Sequence, residues 1–79
     1  MTGRRARIRT EHDDPAVAER IAAALRPDNT AEMATAVEGT AIETEIERET
    51  TGGLRATADD YVVNLRVATQ LANSDTHDT

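Results

Sequence analysis

The chain has no cysteine, no lysine, no phenylalanine and no tryptophan, and Tyr61 is its only aromatic residue. Without cysteine there is no disulfide, and zinc sites built on thiolates are closed with it. One tyrosine cannot form the row of aromatic faces on which single-stranded nucleic acid stacks. No apolar run approaches the ~20 residues of a membrane span. No signal peptide precedes the domain, so a cytoplasmic protein with no membrane contact is expected.

What is present is small and acidic. At 79 residues this is one domain, and a chain of this size buries only about 60% of the surface it exposes when unfolded. The core must come from Ile, Leu, Val, Met and Ala. Small scaffolds of this kind commonly add disulfides, metals or partner subunits, and association is the route left open. The nine basic residues are all arginine against fifteen carboxylates, for a net charge of −6. An acidic, lysine-free chain reads as adaptation to a salty cytoplasm, where weakly hydrated guanidinium is kept and carboxylates stay solvated. A GC-rich genome also favours arginine and alanine.

Residues 4–11 alternate, Arg5, Arg7 and Arg9 against Ala6, Ile8 and Thr10, as in a half-buried strand. Asp14 then offers an N-cap and Pro15 a first helical residue. The helix that follows is expected to turn Val17, Ile21, Ala24 and Leu25 inward and to end at Arg26-Pro27-Asp28-Asn29. A second strand is expected over 31–38, with Met33, Thr35 and Val37 on one face. Glu38-Gly39-Thr40 signals a turn, and 41–49 alternates again, Ile42, Thr44 and Ile46 against Glu43, Glu45 and Glu47. Thr50-Thr51-Gly52-Gly53 leads into a long helix reaching Ala72. A single α+β domain is thus expected over 1–72, with a frayed polar tail over 73–79.

The order strand–helix–strand–strand–helix places the third strand between the other two, which makes every pair antiparallel. Arg5, Arg7 and Arg9 then stand beside Glu43, Glu45 and Glu47 on one face. Both helices cover the other, lined by Ile8, Met33, Val37, Ile42 and Ile46. The expected fold is a two-layer α+β sandwich, a three-stranded antiparallel sheet with two helices on one face.

The long helix carries two apolar stripes. Leu54, Ala58, Tyr61, Val62, Leu65, Ala68 and Ala72 fall on one side at helical spacing. Ala56, Val63, Val67 and Leu71 fall nearly opposite, with Arg55, Asp59, Arg66 and Gln70 on one flank. The first stripe suffices to hold a helix on a small domain. The second points outward, to a partner. On the first helix Ala16, Ala18, Ala22 and Ala23 read as an outer surface that another helix can approach closely. Alanine is also the best helix former, so the second stripe on the long helix decides for a docking surface. Ala18, Ala22, Ala56, Val63, Val67 and Leu71 are the expected partner-facing residues.

No active site is visible. The arginines at the amino-terminal end could contact an RNA backbone, with Arg4 and Arg5 as candidates, but a cross-strand row facing the glutamates is the favoured role. Glutamates two apart along a strand lie about 6–7 Å apart, too spread to cage a small ion, and nothing apolar surrounds them to shift a pKa. His12 and His77 have no second nitrogen or thiolate spaced to join them. Thr and the single Ser have no adjacent base. Gly52-Gly53 at a helix start could admit a phosphate, with a sharp strand-to-helix turn the favoured role. A non-enzymatic chain without catalytic residues, metal or cofactor is expected.

Leu25-Arg26-Pro27-Asp28-Asn29 after the first helix, and Leu54-Arg55-Ala56-Thr57-Ala58-Asp59-Asp60-Tyr61 in the second, resemble the small Pcc-type subunit of the KEOPS complex, in particular its haloarchaeal members. The resemblance covers roughly residues 4–72 and includes the order of elements. It implies a non-catalytic subunit in the synthesis of threonylcarbamoyl adenosine at position 37 of tRNAs reading ANN codons. It further implies a homodimer whose helices pack on helices of the catalytic ASKHA-fold subunit, with tRNA bound through the complex. Arg55, Ala56 and Tyr61 match the family pattern, and Asp59 stands where the family usually carries Asn. The competing reading is a stand-alone RNA-binding module of KH-like architecture. That fold needs a Gly-x-x-Gly loop between helices to clamp the backbone, which this chain lacks. A small metabolite-binding dimer would need a convergent polar cluster, and none is apparent.

Overall fold

The computed structural model describes residues 3–76, with the side chains described up to Ala72. Strand β1 spans Arg4–Glu11 and helix α1 Pro15–Leu25, followed by a 3-10 turn over Arg26–Asp28. Strands β2, Met33–Glu38, and β3, Ala41–Arg48, form a hairpin, and helix α2 runs from Thr51 to Thr76. The sheet order is β1-β3-β2 with both pairs antiparallel. This is the expected three-stranded antiparallel sheet with two helices.

Local chemistry sets each boundary. Asp14 caps α1 by accepting the Val17 N–H at 2.9 Å, and Pro15 occupies the first turn where no N–H is needed. Pro27 prevents α1 from continuing as a regular helix and leaves the tighter turn, closed by Asn29 N–H on the Arg26 carbonyl at 3.0 Å. The hairpin loop is Gly39-Thr40. Gly39 has φ +62°, and no other described residue has positive φ. That single left-handed residue at the first loop position is the pattern of a type II′ turn, which matches the twist of the flanking strands. Thr50 caps α2 by accepting the Gly53 N–H at 2.9 Å.

Three boundaries differ from expectation, the slightest being the end of β3 at Arg48 rather than at residue 49. Strand β2 begins at Met33 rather than Ala31, because the Thr30 carbonyl captures the Met33 N–H at 3.0 Å in a turn. Helix α2 continues to Thr76, past the Asn73 at which a tail was expected. No glycine or proline follows Ala72 to stop it. Residues 77–79 of the expected tail lie outside the described residues.

Alternation on β3 places Ile42, Thr44 and Ile46 under the helices, where all three are buried. Helix α1 lies across β2 and β3, and α2 across β3 and β1. The core cluster joins Ile21 and Leu25 of α1, Ile42 and Ile46 of β3, and Tyr61 of α2, with alanines from both helices. At its centre the Thr44 hydroxyl donates to the Tyr61 hydroxyl at 2.6 Å and meets the Thr35 hydroxyl at 2.9 Å. The Asn29 amide donates to the Thr35 hydroxyl at 2.8 Å. Among the described residues no buried side-chain N or O atom is left without a partner.

Burial raises the Tyr61 pKa from its ordinary value of 10.0, partly offset by the hydrogen bond from Thr44. The folded state therefore holds this proton more tightly than the unfolded chain. Stability is intact below the unfolded tyrosine pKa and falls as pH rises through it. With no lysine or cysteine in the chain, Tyr61 is the one side chain other than arginine to titrate in this range. Urea midpoints measured between pH 8 and 11 should fall at the alkaline end for the natural protein and stay flat for Tyr61→Phe. At neutral pH the same variant, which leaves Thr44 short of a partner, should lose about 1–2 kcal/mol.

Candidate protein-interaction surface

Helix α2 holds the sheet with one side and shows apolar residues on the other. Tyr61, Ala68 and Ala72 are buried, with Leu54, Ala58 and Leu65 packed partly against them. On the far side Val63, Val67 and Leu71 are 59%, 50% and 60% exposed. These three recur every four residues, so they stack in a row about 12 Å long down the helix. Ala56 continues the exposed side toward the amino-terminal end of α2. Ala56, Val63, Val67 and Leu71 thus stand where the sequence places the second stripe. Val62 departs from expectation: it was read as sheet-facing and is 42% exposed. It sits about 100° around the helix from Tyr61, on the flank rather than beneath it.

Helix α1 corrects the other half of the expected surface. Ala18 and Ala22 are fully buried in the core and cannot meet a partner. Ala24, expected inside, is exposed. The buried arc of α1 is Ala18, Ile21, Ala22 and Leu25, with Val17 at its margin. That arc is wider than a sheet-facing stripe because α1 also packs against α2. Ala16 and Ala23 remain on the outside as expected.

The open face of the sheet is a charge ladder. The register pairs Arg5 with Glu47, Arg7 with Glu45 and Arg9 with Glu43. Arg5 reaches Glu47 at 3.6 Å and Glu45 at 4.0 Å, and Arg7 reaches Glu45 at 3.4 Å. Arg9 has three carboxylates around it, Glu11 at 3.4 Å, Glu38 at 3.6 Å and Glu43 at 3.8 Å. These are exposed pairs, each contributing roughly 0–1 kcal/mol. Their main effect here is to neutralise the arginine row as an anion-binding surface. Arg4, a candidate RNA contact in the sequence, is the first residue of β1, and its Nε donates to Thr51 Oγ1 at 3.2 Å.

Arg48 is the polar residue whose role the sequence hides. Half-buried at the end of β3, it donates from one guanidinium nitrogen to the Gly53 carbonyl at 3.2 Å and to Thr57 Oγ1 at 2.5 Å. It ties the last residue of the central strand to the first turn of α2. A side chain at position 53 would press on this guanidinium at 3.1–3.2 Å, so Gly53 makes room for the tie. Arg48 also lines a cleft of about 210 Å³ between α2 and the start of β2, together with Asp28, Glu32 and Asp60. The Glu32 carboxyl is held below its ordinary range by the Thr30 hydroxyl, by its own backbone N–H and by the Arg48 charge. His12 is engaged with the Thr10 hydroxyl at 2.8 Å. Among the described residues no group of three or more His, Asp or Glu is placed to hold a metal ion. No helix among them is long and apolar enough to cross a membrane.

Two adjacent residues test which side of α2 is free. Val67→Arg should change the stability of the isolated chain by no more than about 0.5 kcal/mol, as for an exposed site. Ala68→Arg buries an unpaired charge in the core and should unfold it. Urea denaturation of the two variants reads the contrast directly; unfolding by Val67→Arg would return that residue to the core.

Comparison with protein-family models and with curated proteins gave no match to the chain.

Proposed function

We propose that the chain is a non-catalytic assembly subunit that docks on a partner through the outward row of α2. The observation that carries this reading is the exposure of Val63, Val67 and Leu71 in one axial row. An apolar row of this kind, flanked by Arg66 and Gln70, has the composition of a docking stripe for a helix. With ten buried hydrophobic core residues among those described, the chain has a small core and gains stability from any partner that binds its folded form.

The resemblance of the two quoted segments supplies the identity of the partner in this proposal: the catalytic ASKHA-fold subunit of KEOPS. The chain would then support threonylcarbamoyl adenosine formation from a cytoplasmic complex, as a homodimer. Within those segments Leu25 and Tyr61 are core residues and Asn29 belongs to the buried hydroxyl network. Those three residues serve the fold. Arg55, Ala56, Asp59 and Asp60 are exposed on α2, as are Arg26, Pro27 and Asp28 after α1, and these are free to serve recognition.

In this reading tRNA binds the complex rather than this chain alone. Arg5, Arg7 and Arg9 face carboxylates, and Arg4 is engaged with Thr51. A net charge of −6 repels phosphate, and among the described residues no loop joins α1 and α2 directly to clamp a nucleic-acid backbone.

The test is co-purification of the ASKHA-fold protein with the natural chain and with Val67→Arg in molar salt. Capture by the natural chain and loss of capture by a variant that remains folded is the expected pair of results. Undiminished capture by the variant would remove the α2 row from the proposal. tRNA titrations at fixed salt should show negligible binding by the isolated chain and stronger binding by the pair than by the catalytic subunit alone. Tight binding by the isolated chain, weakened by Arg4→Ala or Arg5→Ala, would favour the stand-alone RNA-binding reading.

A further inference from the structure

Strand β1 is an edge of the sheet, and its outer side brings backbone donors and a row of cations together. The Thr40 carbonyl accepts the His12 N–H at 2.9 Å, and positions 12 and 40 continue the β1–β3 register. Along an antiparallel pair, residues that exchange hydrogen bonds alternate with residues that do not. Ala6, Ile8 and Thr10 therefore bond to β3, while Arg5, Arg7 and Arg9 direct their N–H and C=O groups away from it. Among the described residues no strand takes those groups, since the sheet order is β1-β3-β2. The register runs without a skip from Arg4 to Glu11, and β1 contains no proline. A straight edge of this length is open to a further strand.

The inner side of β1 shows which strand it selects. Arg5, Arg7 and Arg9 stand opposite Glu47, Glu45 and Glu43, and the residues between them face Ile46, Thr44 and Ile42. Carboxylates thus alternate with buried side chains in the strand already bound. That strand does not exhaust the arginines. Among the described residues, the side chains of Arg5 and Arg7 make one hydrogen bond, from Arg7 to Glu45 at 3.4 Å, although each guanidinium carries five N–H donors. They are 61% and 64% exposed. Arg9, by contrast, is closed in by three carboxylates.

The helix side of the same edge is apolar and only partly covered. Ala6 and Ile8 are half-buried. Thr57, Asp60 and Asn64 line the cleft with Met33 and so mark the β2 flank of α2. Val62 lies about 160° around the helix from Asp60 and Asn64, on the flank toward β1, which α2 also contacts. Its 42% exposure leaves an apolar side chain above this edge.

We propose that the outer edge of β1 accepts an extended acidic segment of a partner protein, added antiparallel as a fourth strand. Its carboxylates stand at alternate positions opposite Arg5 and Arg7, and apolar residues between them turn to the helix side, toward Ala6, Ile8 and Val62. Backbone bonds to Arg5, Arg7 and Arg9 give affinity, and the alternate side chains give specificity. The added carboxylates lie two strand spacings, about 10 Å, from the glutamates of β3, with the arginine row between. In molar salt, where the Debye length is about 3 Å, the arginines are felt and the glutamates are screened. A phosphate backbone laid on the open face meets both rows and gains no strand hydrogen bonds. A second copy does not fit the edge: β1 against β1 sets arginine beside arginine, and β2 carries no charge from Met33 to Val37. Val62 points away from the row of Val63, Val67 and Leu71, so this surface is separate from the docking of α2 and stands or falls without it.

The probe is the peptide Ala-Ile-Glu-Thr-Glu-Ile-Glu-Arg, which repeats residues 41–48, titrated into the isotopically labelled full chain. Two controls are a peptide with Gln for every Glu and one with the same residues rearranged so that the glutamates are contiguous. The first peptide should shift the amide signals of Arg5, Arg7 and Arg9 and the methyl signals of Val62. The Gln peptide should bind about five-fold more weakly, as expected for two exposed ion pairs, and the rearranged peptide should lose binding as well. Arg7→Pro removes an outward N–H and no bond to β3, and should weaken the first peptide roughly ten-fold, with circular dichroism reporting the fold. The double variant Arg5→Gln/Arg7→Gln keeps the backbone intact and should abolish the preference for Glu over Gln. No binding of the first peptide at millimolar concentration overturns the proposal. So do equal binding of all three peptides, and shifts confined to Thr35 and Val37 of β2 or to the outward row of α2.

Discussion

The hydrogen bond between Thr44 and Tyr61, 2.6 Å long and wholly buried, is the contact on which the rest of the structure turns. It joins the middle of the central strand to the middle of the long helix in a core that contains no other aromatic side chain. Apolar packing among alanines, valines and isoleucines is non-directional and tolerates small rotations of a helix about its axis. A buried hydroxyl pair does not, because leaving either group unpaired costs about 1–3 kcal/mol. The pair therefore sets the rotation of α2. Once Tyr61 is fixed inward, Val63, Val67 and Leu71 are fixed outward. The same network reaches through Thr35 to Asn29 and so ties the end of α1 to the strand that follows it.

The charged groups do a different job. The Arg–Glu ladder contributes little to stability pair by pair, but it decides which parts of the molecule are sticky. It leaves β1 as an arginine-lined edge beside a neutralised open face, while β2 carries alanines. An acidic domain in concentrated salt has a Debye length of about 3 Å, so attraction and repulsion act only between immediate neighbours. Under that condition the register of neighbouring rows matters more than the net charge of −6. Arg48 belongs to neither group. It works as a tether, with Gly53 kept small to admit it.

Much of the fold was legible because its signals are local. Alternation over 4–11 and 41–49 marks strands, Asp14-Pro15 marks a helix start, and Gly39 marks a turn that only a left-handed residue closes without strain. The strand order followed from the connections, and with it the pairing of Arg5, Arg7 and Arg9 to Glu47, Glu45 and Glu43. The second stripe of α2 was legible too, because a helix on a sheet has one covered side and Val63, Val67 and Leu71 repeat away from it. The hydroxyl network was not. Thr35 and Thr44 have an alternation pattern that shows their face, and nothing in it shows that they meet each other and a tyrosine 17 residues further on.

Sequence by itself determined the elements, their order, the two sides of α2 and the ladder on the open face, since each depends on periods of two or 3.6 residues and on turn chemistry. Tertiary structure decided what the alanines of α1 do. Ala18 and Ala22 read as an outer surface and are fully buried, while Ala24 reads as core and is exposed. Alanine carries too little apolar surface to prefer either side, so its place is set by how the larger residues around it pack. Tertiary structure also decided that α1 has two covered flanks, one on the sheet and one on α2, and that Arg48 folds back onto the first turn of α2. Those outcomes depend on contacts between distant parts of the chain, and no local period encodes them.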